Sequence, residues 1–322
     1  MNWTKRIAFL VAGLMAAPLA LAADSAAGPL KLVVGFPPGG GTDGAARIVA
    51  EHLPQQLGRP VVVENRAGAA GTLGAQAVRR APPDGNTLFF GTSAELLINP
   101  ITRKAAPYDV QKDFMPVTEV GSVAFVLVAP ASSTVSGVPD LIAMAKARPG
   151  RLNFSSFGMG STNHLIGELF LSTTGISASH IPYQGSAQAM TALLAGDVDF
   201  TFDTVAVALP HIKSGKLIAL ATPSPQRVGE LPGVPTLREL GFADLTAEGW
   251  MGVFAPVGTP RQTIASLNEA FVKVLALPDV QAKLAARGVG IVGGSAEQYR
   301  DRLAVESRKW RQVAQDSGIS LE

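Results

Sequence analysis

Two glycine-rich loops carry the chemistry that stands out in this chain. The first, Phe36-Pro37-Pro38-Gly39-Gly40-Gly41-Thr42-Asp43, follows the apolar run Leu32-Val33-Val34-Gly35 and leads into a helical pattern from Gly44 to Val49. Pro37 and Pro38 hold the backbone extended, and Gly39, Gly40 and Gly41 leave their N–H groups without side-chain cover. Those groups lie beside the positive end of a helix dipole, which makes an anion site. The second loop, Gly158-Met159-Gly160-Ser161-Thr162, follows Leu152-Asn153-Phe154-Ser155-Ser156-Phe157 in the same way. Neither loop contains Lys or Arg, so dipoles and hydrogen bonds would carry the grip. Two such loops, one in each of two similar halves, imply a cleft that clasps a small carboxylate.

Residues near the loops admit binding and structural readings. Thr42 or Asp43 reads as the first helix's N-cap, since a carboxylate turned toward an anionic ligand would repel it. Ser155, Ser156, Ser161 and Thr162 bring hydroxyls to the second loop, some to cap the helix and others to reach a ligand. His164 and Glu168 are four apart on a helix and would make half a metal site. Nothing in the sequence completes it, so the structural reading is preferred and no metal is expected. Tyr183 ends a strand, where it either lines the cleft or joins the core, and Gly185 follows it. Arg66 also follows a strand end and either meets a carboxylate or forms a structural ion pair. Asp203, followed by Thr204, either receives a ligand's ammonium or hydroxyl or caps the next segment.

The elements that must position these residues repeat. Each half reads as strand, Gly loop, helix, strand, Gly turn, helix, strand, which predicts α/β layers with mostly parallel sheets. In the first half the pattern predicts strands over 30–36, 60–64 and 87–90. Helices are expected near 42–57, stopped by Gly58, and near 73–80. In the second half strands are expected over 152–156, 180–183 and 198–202. Helices near 162–173 and 187–194 stop at Gly175 and Gly196. Two apolar segments ending in Ala-Pro, Ser122–Ala129 and Trp250–Ala255, read as crossings between the halves. One further helix is expected near 260–287. Another starts at Ser295, where Gln298 completes a capping box and Tyr299, Leu303, Trp310 and Val313 share one face. That face should pack on the first domain. Residues 23–125 and 251–322 would then form a discontinuous domain 1, and residues 126–250 domain 2.

Residues 1–22 read as a secretory signal peptide. Lys5 and Arg6 precede an apolar stretch from Ile7 to Leu21, and Ala20-Leu21-Ala22 is a small-x-small cleavage signal. Cleavage near Ala22 and release into the periplasm are expected. The chain has no Cys, which excludes disulfides, thiolate nucleophiles and lipidation of an N-terminal Cys. Of 27 basic residues, all but Lys5 and Arg6 remain after cleavage, 25 against 25 acidic. The mature chain is therefore formally neutral. It carries no basic stripe interleaved with aromatics, and no nucleic-acid partner is expected.

Several segments together resemble the Bug family of periplasmic solute receptors, the binding-protein component of tripartite tricarboxylate transporters. They are Phe36–Asp43, Glu64-Asn65-Arg66-Ala67-Gly68, Pro83-Asp84-Gly85 and His180-Ile181-Pro182-Tyr183-Gln184-Gly185. Leu231-Pro232-Gly233-Val234-Pro235-Thr236 and Ala255-Pro256-Val257-Gly258-Thr259-Pro260 follow in order. The resemblance implies a type II periplasmic-binding-protein, or Venus flytrap, fold with two doubly wound α/β domains and a hinge. It implies that Phe36–Asp43 and Ser155–Thr162 pinch a ligand carboxylate, largely through backbone groups and water. Two places depart from the family pattern: Gly91-Thr92-Ser93-Ala94-Glu95 after the third strand, and Asp203-Thr204 where Asp-Asn is common. Thr92, Ser93, Asp203 and Thr204 should face the ligand's distal end, so the departures bear on which acid is bound.

The expected partners are a small carboxylate and the membrane components of such a transporter, with a sensor kinase as the alternative. The chain is expected to be a monomer without a cofactor. An enzyme on the same fold is disfavoured. The chain has no Gly-x-Ser-x-Gly elbow, Gly215-Lys216-Leu217 lacks the Ser/Thr of a phosphate loop, and Gly158-x-Gly160 lacks the third glycine of a dinucleotide fingerprint.

Overall fold

On the first strand Leu30, Leu32 and Val34 are buried on one face and Val33 on the other, as parallel strands covered on both sides require. In the computed structural model, residues 28–103 and 107–319 are described. The leader expected over 1–22 lies outside them. The strands run in chain order as β1 (Leu30–Val34), β2 (Val61–Asn65), β3 (Thr87–Thr92), β4 (Phe114–Val123), β5 (Phe125–Pro130) and β6 (Leu152–Ser156). They continue as β7 (Ala178–Pro182), β8 (Phe200–Thr204), β9 (Leu217–Ala221), β10 (Gly249–Pro256) and β11 (Val289–Gly293).

They form two sheets, ordered β11-β4-β10-β3-β1-β2 and β7-β6-β8-β5-β9. In the first, β1 lies parallel between β2 and β3, and β10 joins antiparallel to β3. In the second, β6 lies parallel between β7 and β8, and β5 joins antiparallel to β8. Each sheet thus holds the same parallel triplet and takes its next strand from a crossover. The repeat of architecture expected from the sequence is present in both halves.

Helix Gly41–Leu57 covers one face of the first sheet with Ala45, Ala46, Val49 and Leu53. It ends at Gly58, whose φ of 65° lets its N–H close on the Pro54 carbonyl. Gly175 and Gly196 end their helices in the same left-handed conformation. Helix Ala296–Asp316 starts at Ser295 with both halves of the capping box formed. Its Tyr299, Leu303, Trp310 and Val313 are buried, and the Tyr299 ring meets Trp250 and Phe254 of β10 at 5.6 and 5.3 Å.

Three expectations need correction. The helix expected over 260–287 is two, Arg261–Leu275 and Pro278–Ala285, and Pro278, which has no N–H to continue the first, stands at the opening position of the second. The sheets are mixed rather than mostly parallel, because β10, β4 and β11 join the first antiparallel and β5 and β9 the second. Of the two expected crossings, Ser122–Ala129 is one, passing from β4 on one sheet to β5 on the other at Ala124. Trp250–Ala255 lies wholly within β10, so the return between sheets is made upstream, over 222–248. Among the described residues no helix is long and apolar enough to cross a membrane.

Candidate functional site

The C-terminal ends of β1, β3, β6 and β8 approach one cavity of about 460 Å³ lined by residues of both sheets and their loops. Crevices at these strand ends are where α/β sheets place ligands, and the volume suits a small molecule. Phe36 and Thr42 of the first loop line it, with Thr92 and Ser93 beyond β3. Gly158, Gly160, Ser161 and Thr162 come from the second loop, and Thr204 from the end of β8. Most of the wall is apolar.

The first loop differs in detail from the sequence reading. The N-cap of helix Gly41–Leu57 is Gly40, with no side-chain cap, so neither Thr42 nor Asp43 takes that role. Asp43 is buried and reaches back from the third helical position. Its carboxylate accepts from the Gly39 N–H at 2.8 Å, from Arg47 at 3.0 Å and from the Asn65 amide at 2.8 Å. Burial alone would raise its pKa, but Arg47 and these hydrogen bonds prevail and hold it at about 2. The Gly39 N–H is therefore already engaged. The N–H groups of Gly40, Gly41, Thr42 and Asp43 have no protein acceptor among the described residues. Pro38, Gly39, Gly40 and Gly41 are exposed and stand outside the cavity wall.

The second loop is also tied to itself. Gly158 N–H donates to Ser156 Oγ at 3.2 Å, Gly160 N–H to His164 Nδ1 at 3.0 Å, and Ser161 N–H to the Gly158 carbonyl at 3.1 Å. Ser161 is the N-cap of helix Thr162–Thr174, but its hydroxyl turns to the Gly158 carbonyl and does not cap. The N–H groups of Thr162, Asn163 and His164 remain without a protein acceptor among the described residues. Each loop thus presents a helix N-terminus, with the glycine amides of the second loop engaged and, among the described residues, those of Gly40 and Gly41 free in the first.

Several expected ligand contacts belong instead to the support beneath the loops. Ser155 is fully buried, as is Ser156, whose Oγ lies 2.6 Å from His180 Nε2. His164 is buried under the second loop, stacked on His180 and with Nε2 3.5 Å from Glu168. Burial, with His164 beside it, pushes the His180 pKa down to about 3. Tyr183 packs on the apolar cluster around Val126, Met190 and Leu193. Gly185 precedes helix Ser186–Ala195 with φ of 108°. Asp203 is fully buried, accepts from Ser186 Oγ at 3.0 Å and Thr204 N–H at 2.7 Å, and is pushed by burial to about 7. None of these lines the cavity. Arg66 forms a surface ion pair with Glu64 at 2.6 Å, the structural alternative of the two foreseen.

The wall also includes residues the sequence reading did not select. Val123, Phe125, Trp250 and Met251 lie in or beside the segments read as crossings, and that position between the halves was a usable signal. Phe157 and Met159 sat inside the second loop. Ala70, Asn99 and Arg103 carried no motif at all. Trp250 donates its indole N–H to Glu306 at 2.8 Å, and Arg302 bridges Glu306 at 3.0 Å and Glu119 at 2.6 Å. The C-terminal helix thereby braces the cavity wall from behind.

Comparison with known proteins gives the chain a family. Residues 45–319 match the tripartite tricarboxylate transporter family receptor model. The chain is 39% identical over 328 residues to protein BugT of Bordetella pertussis, covering 100% of both chains. Its fold matches an R. palustris protein solved with adipate, at TM-score 0.78 and 33% identity, over 92% of this chain and 99% of that one. It also matches MatC from Rhodopseudomonas palustris with bound malate, at TM-score 0.74 and 29% identity, over 88% and 98%. With a two-sheet Venus flytrap fold and a family match that spans both sheets, the chain belongs to the Bug-type receptors of the tripartite tricarboxylate transporter family.

Proposed function

We propose that this chain captures a small carboxylate between its two lobes and presents it to the membrane components of a tripartite transporter. The observation that carries this reading is the approach of two helix N-termini, at Thr42 and at Ser161–Thr162, to one largely apolar cavity. Unpaired N–H groups and aligned dipoles there favour a negative group, and a low-dielectric wall strengthens each hydrogen bond to it. The solved adipate and malate complexes of related proteins support a carboxylate as the ligand. Among the polar wall residues, Thr42, Ser161, Thr162 and Thr204 stand at or near the helix N-termini and would meet it, with Phe36, Phe125, Phe157 and Trp250 around its carbon skeleton. The mechanism is binding and hinge closure without a covalent step. The first sheet with its helices, residues up to Val123 and from Gly249 onward, would move as one body, and the second sheet with its helices, from Phe125 to Ala221, as the other. The leader over residues 1–22 would direct the chain to the periplasm and be removed near Ala22.

Thermal-shift screening of mono-, di- and tricarboxylates, followed by calorimetry, tests the reading. Saturable binding of at least one carboxylate, with a smaller radius of gyration in solution scattering, is expected. Failure of every carboxylate to shift the unfolding temperature, alongside binding of an uncharged or cationic solute, would overturn it.

A further inference from the structure

The cavity wall has one charged side chain among the described residues, and it belongs to neither glycine loop. It is Arg103, which follows the short helix Asn99–Thr102. Among the described residues its buried Nε has no hydrogen-bond partner and no carboxylate forms a salt bridge with it. The nearby buried carboxyl, Glu95, does not serve as its counter-ion. Glu95 is fully buried and takes its hydrogen bonds from Thr92, at 2.8 Å from the N–H and 3.0 Å from the hydroxyl. A guanidinium cannot shed its charge, so one left without a counter-ion on the wall of an apolar cavity is costly unless a ligand brings an anionic acceptor to its terminal nitrogens. Asn99 flanks it on the wall with its amide nitrogen committed to the Ala70 carbonyl at 2.9 Å. The two helix N-termini already provide for one carboxylate without any cation.

We propose that Arg103 is a specificity-determining residue that pairs with a second acidic group on the ligand, so that the cleft selects a dicarboxylate with an apolar spacer over the matching monocarboxylate. This rests on the carboxylate-binding reading above and adds to it the number of acidic groups and the residue that counts them. The spacer meets Phe36, Phe125, Phe157 and Trp250, which offer no partner for hydroxyl substituents. A planar guanidinium suits a carboxylate through two parallel hydrogen bonds, which a monocarboxylate's methyl end cannot accept.

The test uses chain-length pairs as probes: succinate with butyrate, glutarate with pentanoate, and adipate with hexanoate. Calorimetry is run on the wild type, Arg103→Gln and Arg103→Lys, each first shown by thermal unfolding to be folded. In the wild type the preferred diacid should bind at least about tenfold more tightly than its monoacid partner, the order expected for a charge-assisted pair. Arg103→Gln should erase that preference while leaving monoacid affinity within about twofold. Arg103→Lys, which keeps the charge and loses the fork, should keep part of the preference, and it carries the test alone if the Gln variant does not fold. Equal loss for both members of a pair would make Arg103 a structural residue and overturn the proposal, as would an unchanged preference. Binding of monoacids without any diacid preference in the wild type would overturn it and leave the carboxylate reading standing. If no member of any pair binds, both fall.

Discussion

The imidazole rings of His164 and His180 stack 3.7 Å apart, with their planes 13° from parallel, directly beneath the second glycine loop. His164 accepts the Gly160 N–H through Nδ1 and so must keep that nitrogen unprotonated. His180 sits against Ser156, Phe154 and the other ring. Glu168, 3.5 Å from His164 Nε2, is the acid paired with the stack. The loop that offers a helix N-terminus to the cavity therefore rests on the acceptor Nδ1 of His164, whose ring is stacked on a His180 that burial holds neutral.

His180→Gln should make the fold less sensitive to acid. Burial and His164 hold the folded-state pKa of His180 at about 3, against 6.5 for an unperturbed imidazole. Between these values the unfolded chain binds a proton that the folded chain refuses, so this group's contribution to stability falls as the pH drops through that window. Gln does not titrate. Urea unfolding from pH 7.5 to 4.5 should show the variant gaining on the wild type as the pH falls. Parallel curves would mean that the stack does not set this dependence.

Glu95 gives a dependence of the opposite sign. Burial pushes it up to about 8 even though Thr92 donates two hydrogen bonds to it, and its Oε1 has no partner. Oε1 is packed against Gly35 and Gly71, where an added Cβ would overlap it. The folded chain keeps a proton that the unfolded chain has released, so stability falls as the pH rises from about 4.5 to about 8. Glu95→Gln keeps the acceptor for Thr92 and removes the charge. The variant should become more stable relative to the wild type by ~2–4 kcal/mol above pH 8, the order of a shift of this size. Denaturant unfolding at pH 5 and 8.5 checks it, and an unchanged difference between the two pH values would sink the idea.

Trp250 should report ligand binding. It lines the cavity, its N–H donates to Ser93 Oγ at 3.4 Å, and its indole is held by Glu306. Among the described tryptophans, Trp310 is buried on the C-terminal helix and is not on this wall. Saturating carboxylate should change the intrinsic emission of the wild type and not that of Trp250→Phe. A ligand-dependent signal that survives in the Phe variant would place the responding indole elsewhere.

What was legible in the sequence is what short-range chemistry dictates. The two Gly loops follow β1 and β6, the left-handed stops fall at Gly58, Gly175 and Gly196, and Ser295 and Gln298 form their box. The parallel triplets follow from the alternation of strand and helix patterns. The rest depends on packing between distant segments. His164 and Glu168 were visible as an i, i+4 pair, but nothing local tells that His180 on β7 comes to lie against His164. Asp43 looked like an N-cap because its spacing from the glycines fits one. Gly40 can cap without a side chain, which freed the carboxylate to bind the Gly39 N–H and Arg47. Arg103 stands in a segment with no motif, and its place on the wall comes from the helical turn after β3.

The two glycine loops should respond differently to the same substitution. Gly160 has φ of 71°, a conformation in which a β-branched residue is strained, and its N–H is fixed on His164 Nδ1. Gly160→Val should therefore lower stability by ~2 kcal/mol or more, from backbone strain and the lost hydrogen bond together. Gly40 has φ of −72° and ψ of 172°, which any residue adopts, and an added Cβ would meet only the Pro37 carbonyl oxygen at 3.7 Å. Gly40→Val should leave stability within about 0.5 kcal/mol of wild type. Its N–H is nonetheless one of the unpaired donors at the first helix N-terminus, so bulk there can act on the bound anion without acting on the fold. Thermal unfolding of the free variants, followed by calorimetry with the best-binding carboxylate, separates the two effects. Gly160→Val should lose both stability and affinity, and Gly40→Val affinity alone. Full affinity in a folded Gly40→Val would mean that the ligand does not approach this end of the first helix, and the grip would have to lie with the second loop and Arg103.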